Sequence, residues 1–341
     1  MKRRIINQII QFLTSGETSV YRLIDAQDSS LPEFLEVLDE LVSDRVITLE
    51  NGKVRLSDKG EEIAKELGAV NAEVRCVCCD GTGYGIAKEF EEILARYKEI
   101  AKERPETCEM YDQGFLGAED VLRRVEFMYE RGDLLNSEIF VVGDDDLFSI
   151  ASTLTGMPKE VSVIDIDDRL IDFINSVAEE LSLPVEAEVC DAQEELPEKF
   201  RGKYDVFVTD PVETVPGLKL FLSRGVSALK GEGCSGYFGL TTLEASRKKW
   251  YEIQRILHDM GFVVTDLRRK FSVYPEEEKN FFRYQEKLPI VRRIGARIDY
   301  NFYTSSFYRI EAVRTPEPAV KGRMVLDEAV YKDSESWATP Y

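Results

Sequence analysis

From Val121 onward, apolar runs alternate with helix-like segments, and this alternation limits the possible folds more than any other feature of the chain. The runs EIFVVG, EVSVIDID, VEAEVCD, YDVFVTDP and CSGYFGLT are strand-like, and most of them are separated by amphipathic segments of helical length. Strands that alternate with helices predict a parallel, doubly wound α/β sheet. The last two runs, FVVTDLRRKFSVYP and SSFYRIEAVR, have no helix between them, so we expect an antiparallel pair at one edge of the sheet.

Residues 1–70 precede this pattern and predict a winged helix-turn-helix domain. Three helix-like segments are followed by two short β-like runs around Asn51 and Gly52, a dipeptide favoured in type I′ hairpin turns. The third segment, Leu31–Asp44, would enter the groove of DNA in a DNA-binding protein, yet it has five acidic residues and no Lys or Arg. Phosphates would repel such a helix. We therefore expect a role in oligomerisation or packing, a homo-oligomer, and no nucleic-acid partner.

Residues 71–115 connect this domain to the alternating region and contain a cysteine-rich segment. Cys76 and Cys79 have the spacing of a zinc knuckle, and Cys108 could add a third ligand. A closed structural zinc site needs four ligands, however, and no second C-x-x-C occurs, so a Gly-rich turn with small buried thiols is the favoured interpretation and no metal is expected. The same connector contains YDQG, in which Tyr111 and Gln113 could close over a ligand or simply form a turn between domains.

The whole chain is acidic: 64 Asp and Glu residues outnumber 44 Lys and Arg residues, which gives a net charge of −20. Such a charge opposes binding to phosphate backbones and favours cationic ligands. The one histidine, His258, lies in a helix-like segment, so the chemistry must depend on carboxylates, hydroxyls or electrostatics. No apolar run approaches the ~20 residues that cross a membrane, and no signal-peptide cleavage site follows the first apolar positions. We expect a cytoplasmic protein without a membrane partner.

Acidic residues follow four consecutive predicted strands, at the edge of the sheet where ligands bind in this class of fold. In the methyltransferase-like variant of the Rossmann fold, which has the antiparallel edge pair, Asp165 at the end of the second strand would accept hydrogen bonds from an adenosine ribose. Asp191 and Ala192 after the third strand would receive the adenine amino group, and Asp210 follows the fourth strand. Each acid alone could be a helix N-cap. Their order at successive strands predicts an adenosyl-sulfonium ligand.

The loop after the first strand has an unusual composition. This loop is normally rich in glycine, but here Gly143 is followed by three aspartates, Asp144, Asp145 and Asp146. The tail of S-adenosylmethionine would lie near this loop, and its carboxylate at ~4 Å from one Asp would be repelled by about 4 kcal/mol at an effective dielectric constant of about 20. A decarboxylated tail is an ammonium group, which the same cluster would attract. A polyamine acceptor, also a chain of ammonium groups, extends the argument to Glu213.

The segments VVGDDDLFSIA, YDQG and DPVETVPGLKLFLSRGVSALKG resemble the branched-chain polyamine synthases, the N4-bis(aminopropyl)spermidine synthase family of heat-loving archaea and bacteria. The resemblance covers most of the chain, and its most specific element is the Gly-Asp-Asp-Asp motif. It implies transfer of aminopropyl groups from the co-substrate decarboxylated S-adenosylmethionine to the internal nitrogen of spermidine, with release of methylthioadenosine and no permanently bound cofactor. Residues 116–341 would then form the Rossmann-like catalytic domain.

The resemblance also bears on the segment after the fourth strand. Related linear aminopropyltransferases have a catalytic Asp there, and Asp210 is the matching position in this chain. Val212 stands where we expect a second proline in the family's motif, and it keeps an apolar wall at that position.

Each candidate residue has an expected role in this reaction. The three aspartates would hold the donor tail and the reacting nitrogen, with Asp145 as the preferred general base. Asp210 and Glu213 would bind the acceptor, while Asp165 and Asp191 would hold the adenosine. One and two aminopropyl transfers are both compatible with the sequence.

Two other functions stay open from the sequence alone. A methyltransferase acting on nucleic acid could have both the Asp-Pro dipeptide after the fourth strand and a winged helix. Against it, the segment after that strand has no aromatic residue to stack on a flipped base, and no basic run is longer than SRKKW. A winged-helix regulator that only senses a small ligand is the non-enzymatic alternative.

Overall fold

The computed structural model describes residues 2–71, 76, 79, 81–111, 113–275, 279–325 and 327–338. Its first part, the N-terminal unit, contains four helices and a small antiparallel sheet: α1 (Lys2–Leu13), β1 (Thr18–Ser19), α2 (Val20–Ala26), α3 (Leu31–Ser43), β2 (Ile47–Glu50), β3 (Lys53–Leu56) and α4 (Asp58–Leu67). Three helices and then the β2–β3 hairpin occur in the predicted order. Asn51 and Gly52, with φ angles of 50° and 74°, form its turn. The assignment as a winged helix stays a prediction.

The rest of the chain forms a seven-stranded sheet with helices around it. Its elements are α5 (Glu91–Ala101), α6 (Ala118–Glu130), β4 (Glu138–Val142), α7 (Phe148–Thr153), β5 (Glu160–Asp165), α8 (Asp168–Leu181), β6 (Val185–Val189), β7 (Val206–Thr209), α9 (Val215–Ala228), β8 (Ser235–Leu240), α10 (Arg247–Met260), β9 (Phe262–Val273), α11 (Pro289–Ile294), β10 (Thr304–Ala312) and α12 (Glu328–Tyr331). None of the helices in the described part of the chain combines the length and the apolar character that a membrane span requires.

The strand order in this sheet is β6-β5-β4-β7-β8-β10-β9. The five strands from β6 to β8 in that order are parallel, whereas β10 is antiparallel to both β8 and β9. The predicted doubly wound, mostly parallel sheet with an antiparallel pair at one edge is therefore confirmed. The expectation that no helix separates the last two strands is wrong, because the short helix α11 lies between β9 and β10.

Strand β4 shows why the sequence forms a buried parallel strand here. Ile139 and Val141 belong to the hydrophobic cluster on one face of the sheet, and Phe140 and Val142 belong to the cluster on the other face. All four are buried because both faces are covered, as in other parallel sheets. The strand therefore ends in the interior, and the loop that begins at Gly143 starts at the carboxyl edge of the sheet.

One hydrophobic cluster continues from the N-terminal unit into the α/β unit. It includes Ile9 and Leu38 of the first helices together with Val141 of β4 and Phe302 beside β10. The N-terminal unit is thus packed onto the sheet through a shared core, while the domain boundaries at residues 70 and 115 stay predictions.

The cysteines of the connector differ in exposure. Cys76 is exposed and Cys79 is buried, and Cys78 lies outside the described residues. Gly81 and Gly83 both have positive φ angles, of 83° and 85°, so a glycine turn follows Cys79. Within the described ranges, no group of three His, Cys, Asp or Glu residues is arranged to hold a metal ion.

The core of the sheet depends on close packing against two glycines. Phe207 of β7 is fully buried where Gly225 and Gly236 leave space for its ring, and a Cβ atom at Gly236 would lie 2.3 Å from that ring and 3.0 Å from Ile310. We expect Gly236→Ala to lower the free energy of unfolding, measured in urea, by about 1–3 kcal/mol, the usual cost of overpacking a core. Gly322→Ala, where an added Cβ meets no atom within 4 Å, is the control. Equal stability of the two variants would contradict this packing.

Candidate active site

A cavity opens at the carboxyl ends of β4, β5, β6 and β7, where the sequence predicted a ligand site. The predicted residues that line it are Tyr111, Gln113, Gly143, Asp145, Asp165, Asp191, Ala192, Asp210 and Glu213. Two neighbours of Asp145, Asp144 and Asp146, do not line the cavity. Three further residues that the sequence analysis missed, Glu244, Tyr274 and Tyr303, do line it.

Asp144 holds the loop together. The residue is 1% exposed, and its carboxylate accepts hydrogen bonds from the backbone N–H and the hydroxyl of Ser149 in α7. Its own N–H donates to Asp165 at 3.1 Å. Burial raises the pKa of Asp144 to about 8, although the bonds from Ser149 oppose the shift. The side chain thus ties the loop to α7, away from the wall of the cavity.

Asp146 and Asp210 share one buried cation, Arg124 of α6. The Arg124 Nη1 atom lies 3.4 Å from Asp146 Oδ2 and 3.0 Å from Asp210 Oδ2. Asp146 also accepts a 2.6 Å bond from the N–H of Leu116, and Asp210 accepts one of 2.6 Å from the hydroxyl of Tyr274. Burial opposes the charge on Arg124, but Asp210 and Asp146 raise its pKa above the ordinary value. Both carboxylates therefore already have a counterion inside the protein.

A glycine in strand β8, Gly239, leaves the space that the ion pair of Arg124 and Asp210 occupies. An added Cβ atom at Gly239 would lie 1.7 Å from Asp210 Oδ1 and 3.3 Å from Arg124 Nη2. Glycine is therefore required at this position by close approach of a side chain and not by backbone conformation.

Asp145 is the member of the aspartate cluster that faces the cavity. Its Oδ2 atom accepts a 2.9 Å hydrogen bond from the N–H of Gly114. Burial, followed by the neighbouring charge of Asp146, raises the pKa of Asp145 well above its usual range. A cation that enters the cavity would favour the ionised form of this carboxyl group. The group is suited to accept a proton from a bound amine or to bind an ammonium group.

Asp165 and Asp191 are held in place by local hydrogen bonds. Asp165 accepts from the N–H groups of Asp144 and Asp167, at 3.1 and 2.8 Å, and Asp191 accepts from the N–H of Gln193 at 2.9 Å. Burial raises the pKa of Asp165. Each carboxylate oxygen can accept a second hydrogen bond, so both groups can still bind the hydroxyl or amino groups of a nucleoside.

The segment that contains YDQG lies against the aspartate loop. Gln113 accepts a 2.7 Å bond from the N–H of Cys108 and donates a 3.1 Å bond to Asp167, so its amide stabilises the segment itself. Tyr111 lines the cavity, and Asp112 lies outside the described residues. The backbone that follows Gln113 donates to two of the aspartates, as described above. The segment thus forms one side of the cavity.

Another side of the cavity, which we call the acidic wall, is formed by the half-buried Glu213 and the buried Glu244 and Tyr303. The Tyr303 hydroxyl lies 3.3 Å from Glu213 Oε2 and 3.2 Å from Glu244 Oε2. The other carboxylate oxygens accept 2.6 Å bonds from the N–H groups of Thr241 and Ala338. Burial, followed by the charge of Glu244, raises the pKa of Glu213 well above its usual range, and burial also raises the pKa of Glu244. The wall can bind cations.

One of the missed residues had a signal in the sequence. Glu244 follows β8 at the same sheet edge as the other acids, so the rule that located Asp165 and Asp210 could have found it. Tyr274 and Tyr303 lie after β9 and before β10, and the antiparallel pairing of these strands brings both residues to that edge. The rule for parallel strands does not cover such positions.

The sheet and the acids at its edge define a Rossmann-fold protein with a site suited to an adenosyl compound and to cations. The chain belongs to the branched-chain polyamine synthase family, because residues 92–338 match the family described as the branched-chain polyamine synthase A C-terminal domain. This finding confirms the resemblance seen in the sequence.

Similar proteins cover nearly the whole chain. The N(4)-bis(aminopropyl)spermidine synthases of Methanocaldococcus jannaschii and Thermococcus kodakarensis are 39% and 36% identical, over 99% of this chain and 95% of each of those proteins. The crystal structure of the branched-chain polyamine synthase from Thermus thermophilus, in complex with N4-aminopropylspermidine and 5′-methylthioadenosine, is 33% identical with a TM-score of 0.85. It covers 99% of this chain and 93% of that chain.

The raised pKa values predict proton release when a polyamine binds. Asp145 and Glu213 favour the protonated form in the cavity, whereas ammonium groups favour the ionised form. The affinity for spermidine, measured with methylthioadenosine present, should therefore increase with pH above the usual titration range of carboxyl groups. Calorimetry in buffers of different ionisation enthalpy should show net proton release.

Glu213→Gln should release fewer protons in the same measurement, because one titrating group is removed. Glu179→Gln, on the exposed side of α8, is the matched control and should behave as the unchanged protein does. Proton uptake on binding, or an affinity that decreases with pH, would contradict the electrostatic description of the cavity.

Proposed function

We propose that this chain is an aminopropyltransferase that moves aminopropyl groups from decarboxylated S-adenosylmethionine to the internal nitrogen of spermidine. The observation that carries the proposal is that Asp145 lines one cavity together with the acidic wall and with Asp165 and Asp191, the two acids predicted to bind the nucleoside. The solved relative from Thermus thermophilus holds a branched polyamine and 5′-methylthioadenosine, which are the two kinds of product that this reaction would release.

The reaction is an in-line displacement at a carbon that the sulfonium group has activated. A nitrogen–carbon bond forms while the carbon–sulfur bond breaks, and sulfur keeps the electron pair and leaves as the neutral thioether methylthioadenosine. The reacting nitrogen must give up a proton, and we assign Asp145 as the group that accepts it. The remaining task of the protein is to hold both reactants in line.

For the donor, we assign Asp165 to the ribose hydroxyls and Asp191 with Ala192 to the adenine. The turn at Gly143, whose φ angle is 75°, would bring the loop close to the donor without a side chain in the way. The donor's ammonium tail would lie toward Asp145.

Asp144 and Asp146 have supporting roles in this proposal. Their carboxylates are engaged by Ser149 and by Arg124, so they orient the loop that presents Asp145. The sequence alone predicted both of them at the donor tail, and their positions in the fold favour an indirect role.

For the acceptor, the acidic wall is the favoured site of ammonium binding. Asp210 does not have the catalytic role that the matching Asp has in the linear aminopropyltransferases, because Arg124 and Tyr274 already engage its carboxylate. We therefore propose that Asp210 positions Tyr274 and Arg124, while Glu213 and Glu244 bind the ends of the polyamine. A single aminopropyl transfer and two successive transfers would both use these acceptor-binding groups.

The charge of the N-terminal unit supports a small-molecule substrate over nucleic acid. The exposed side chains Glu36 and Glu40 of α3 form ion pairs with Lys2, and Asp39 pairs with Arg293. This acidic surface would repel phosphates. The N-terminal helices therefore do not favour a methyltransferase that acts on nucleic acid. The homo-oligomer stays a prediction.

Replacement of the general base tests the proposal directly. Asp145→Asn keeps the shape of the side chain but removes its basicity, so turnover with spermidine should decrease roughly 100- to 10,000-fold, the usual range for loss of a general base. Donor binding should weaken less. Product masses measure turnover, and Asp168→Asn, an exposed residue of the nearby helix α8, is the control. Near-normal turnover of Asp145→Asn would reject Asp145 as the general base.

Discrimination between sulfonium donors is a second consequence. Decarboxylated S-adenosylmethionine should bind more tightly than S-adenosylmethionine in calorimetry, because its ammonium tail favours the ionised form of Asp145, whereas a carboxylate nearby would oppose that ionisation. The difference should shrink in Asp145→Asn. Methylthioadenosine, which has no charged tail, is the control and should bind both proteins similarly. Equal affinities of the two donors for the unchanged protein would remove the electrostatic argument.

A further inference from the structure

The N-terminal unit contacts the loop between β8 and α10. The N–H of Leu31, at the start of α3, donates a 2.6 Å hydrogen bond to the carbonyl of Leu243. Arg247 Nη2 donates to the backbone carbonyl and to the carboxylate of Asp28, at 3.0 and 2.9 Å. Leu243 is buried in the cluster that also contains the apolar residues of the N-terminal helices. The backbone of this loop is therefore held from the side of the N-terminal unit.

A second contact involves the segment that leads into β10. The Tyr21 hydroxyl of α2 donates a 2.7 Å bond to the carbonyl of Ala296, and the Tyr21 ring lies 5.1 Å from the ring of Phe302. Asp25, which is 4% exposed, accepts a 3.2 Å bond from the hydroxyl of Tyr300. Buried aromatic and hydrogen-bonded contacts of this kind restrict the position of the segment.

Both contacted segments carry residues of the acidic wall. Glu244 follows Leu243 directly, and Tyr303 follows Phe302 directly. The Tyr303 hydroxyl is in turn shared between Glu213 and Glu244. A shift of either segment by a fraction of an ångström would thus change the distance between the two carboxylates.

We propose that the N-terminal unit is a positioning element for the polyamine acceptor: it fixes the two segments that carry Glu244 and Tyr303. This inference rests on the proposed function. Carboxylates bind ammonium groups tightly when their positions are set before binding, since no energy is then spent on ordering them. The nucleoside side of the cavity is built from the ends of β5 and β6, so loss of these contacts should affect the acceptor selectively.

Two substitutions test the inference without opening the core. Tyr21→Phe removes the bond to Ala296 and keeps the ring against Phe302. Arg247→Gln removes both bonds to Asp28, which keeps its contacts with Arg4 and Gln8. Each variant should raise the KM for spermidine about threefold to tenfold, the range that loss of one hydrogen bond gives, with kcat and the KM for the donor within about twofold of the unchanged enzyme.

Lys2→Gln is the matched control, because Lys2 forms ion pairs only within the N-terminal unit in the contacts described, with Glu36 and Glu40. Its kinetic constants should stay at the values of the unchanged enzyme. An unchanged KM for spermidine in both test variants would overturn the inference, and so would equal losses for donor and acceptor that follow a fall in Tm. Absence of turnover by the unchanged enzyme would instead reject the proposed function, and the inference with it.

Discussion

The buried guanidinium of Arg124 holds the parts of the site together. It joins Asp146 in the loop after β4 with Asp210 after β7, and it donates to the hydroxyls of Ser272 in β9 and Ser305 in β10 at 2.9 and 3.1 Å. The planar fork of donors on an arginine suits such a junction better than a lysine would. Removal of a buried counterion leaves uncompensated charge, so Arg124 stabilises the charges of both aspartates, to which Leu116 and Tyr274 also donate hydrogen bonds.

The same interaction divides the carboxyl groups of the cavity into two kinds. Asp146 and Asp210 are compensated by Arg124, whereas Asp145, Glu213 and Glu244 accept hydrogen bonds from neutral N–H and O–H groups. Burial raises the pKa values of Asp145, Glu213 and Glu244, and it also raises the pKa of Asp146 to about 6 although Arg124 opposes the shift. A cation that enters the cavity would favour the ionised forms of Asp145, Glu213 and Glu244.

The N-terminal unit, for which a winged helix is predicted, packs against the α/β unit through its third helix. The apolar face of α3, which includes Phe34 and Leu38, is buried in a core shared with the α/β unit, and the acidic face remains exposed. The start of α3 meets the loop that carries Glu244. Packing against the site is consistent with a helix that is too acidic to approach phosphates.

The sequence by itself determined the order of strands and helices, the antiparallel edge and the acids Asp165, Asp191 and Asp210 at the strand ends. These features are readable because apolar periodicity is local and because parallel strands end at a common edge. Only the tertiary structure decided that Asp145 faces the cavity and that Arg124 neutralises Asp210. The direction of each side chain in a loop depends on the groups that it contacts. Such groups can come from distant segments of the chain, as Arg124 and Asp210, which are 86 residues apart, show. No local pattern records a contact over that separation.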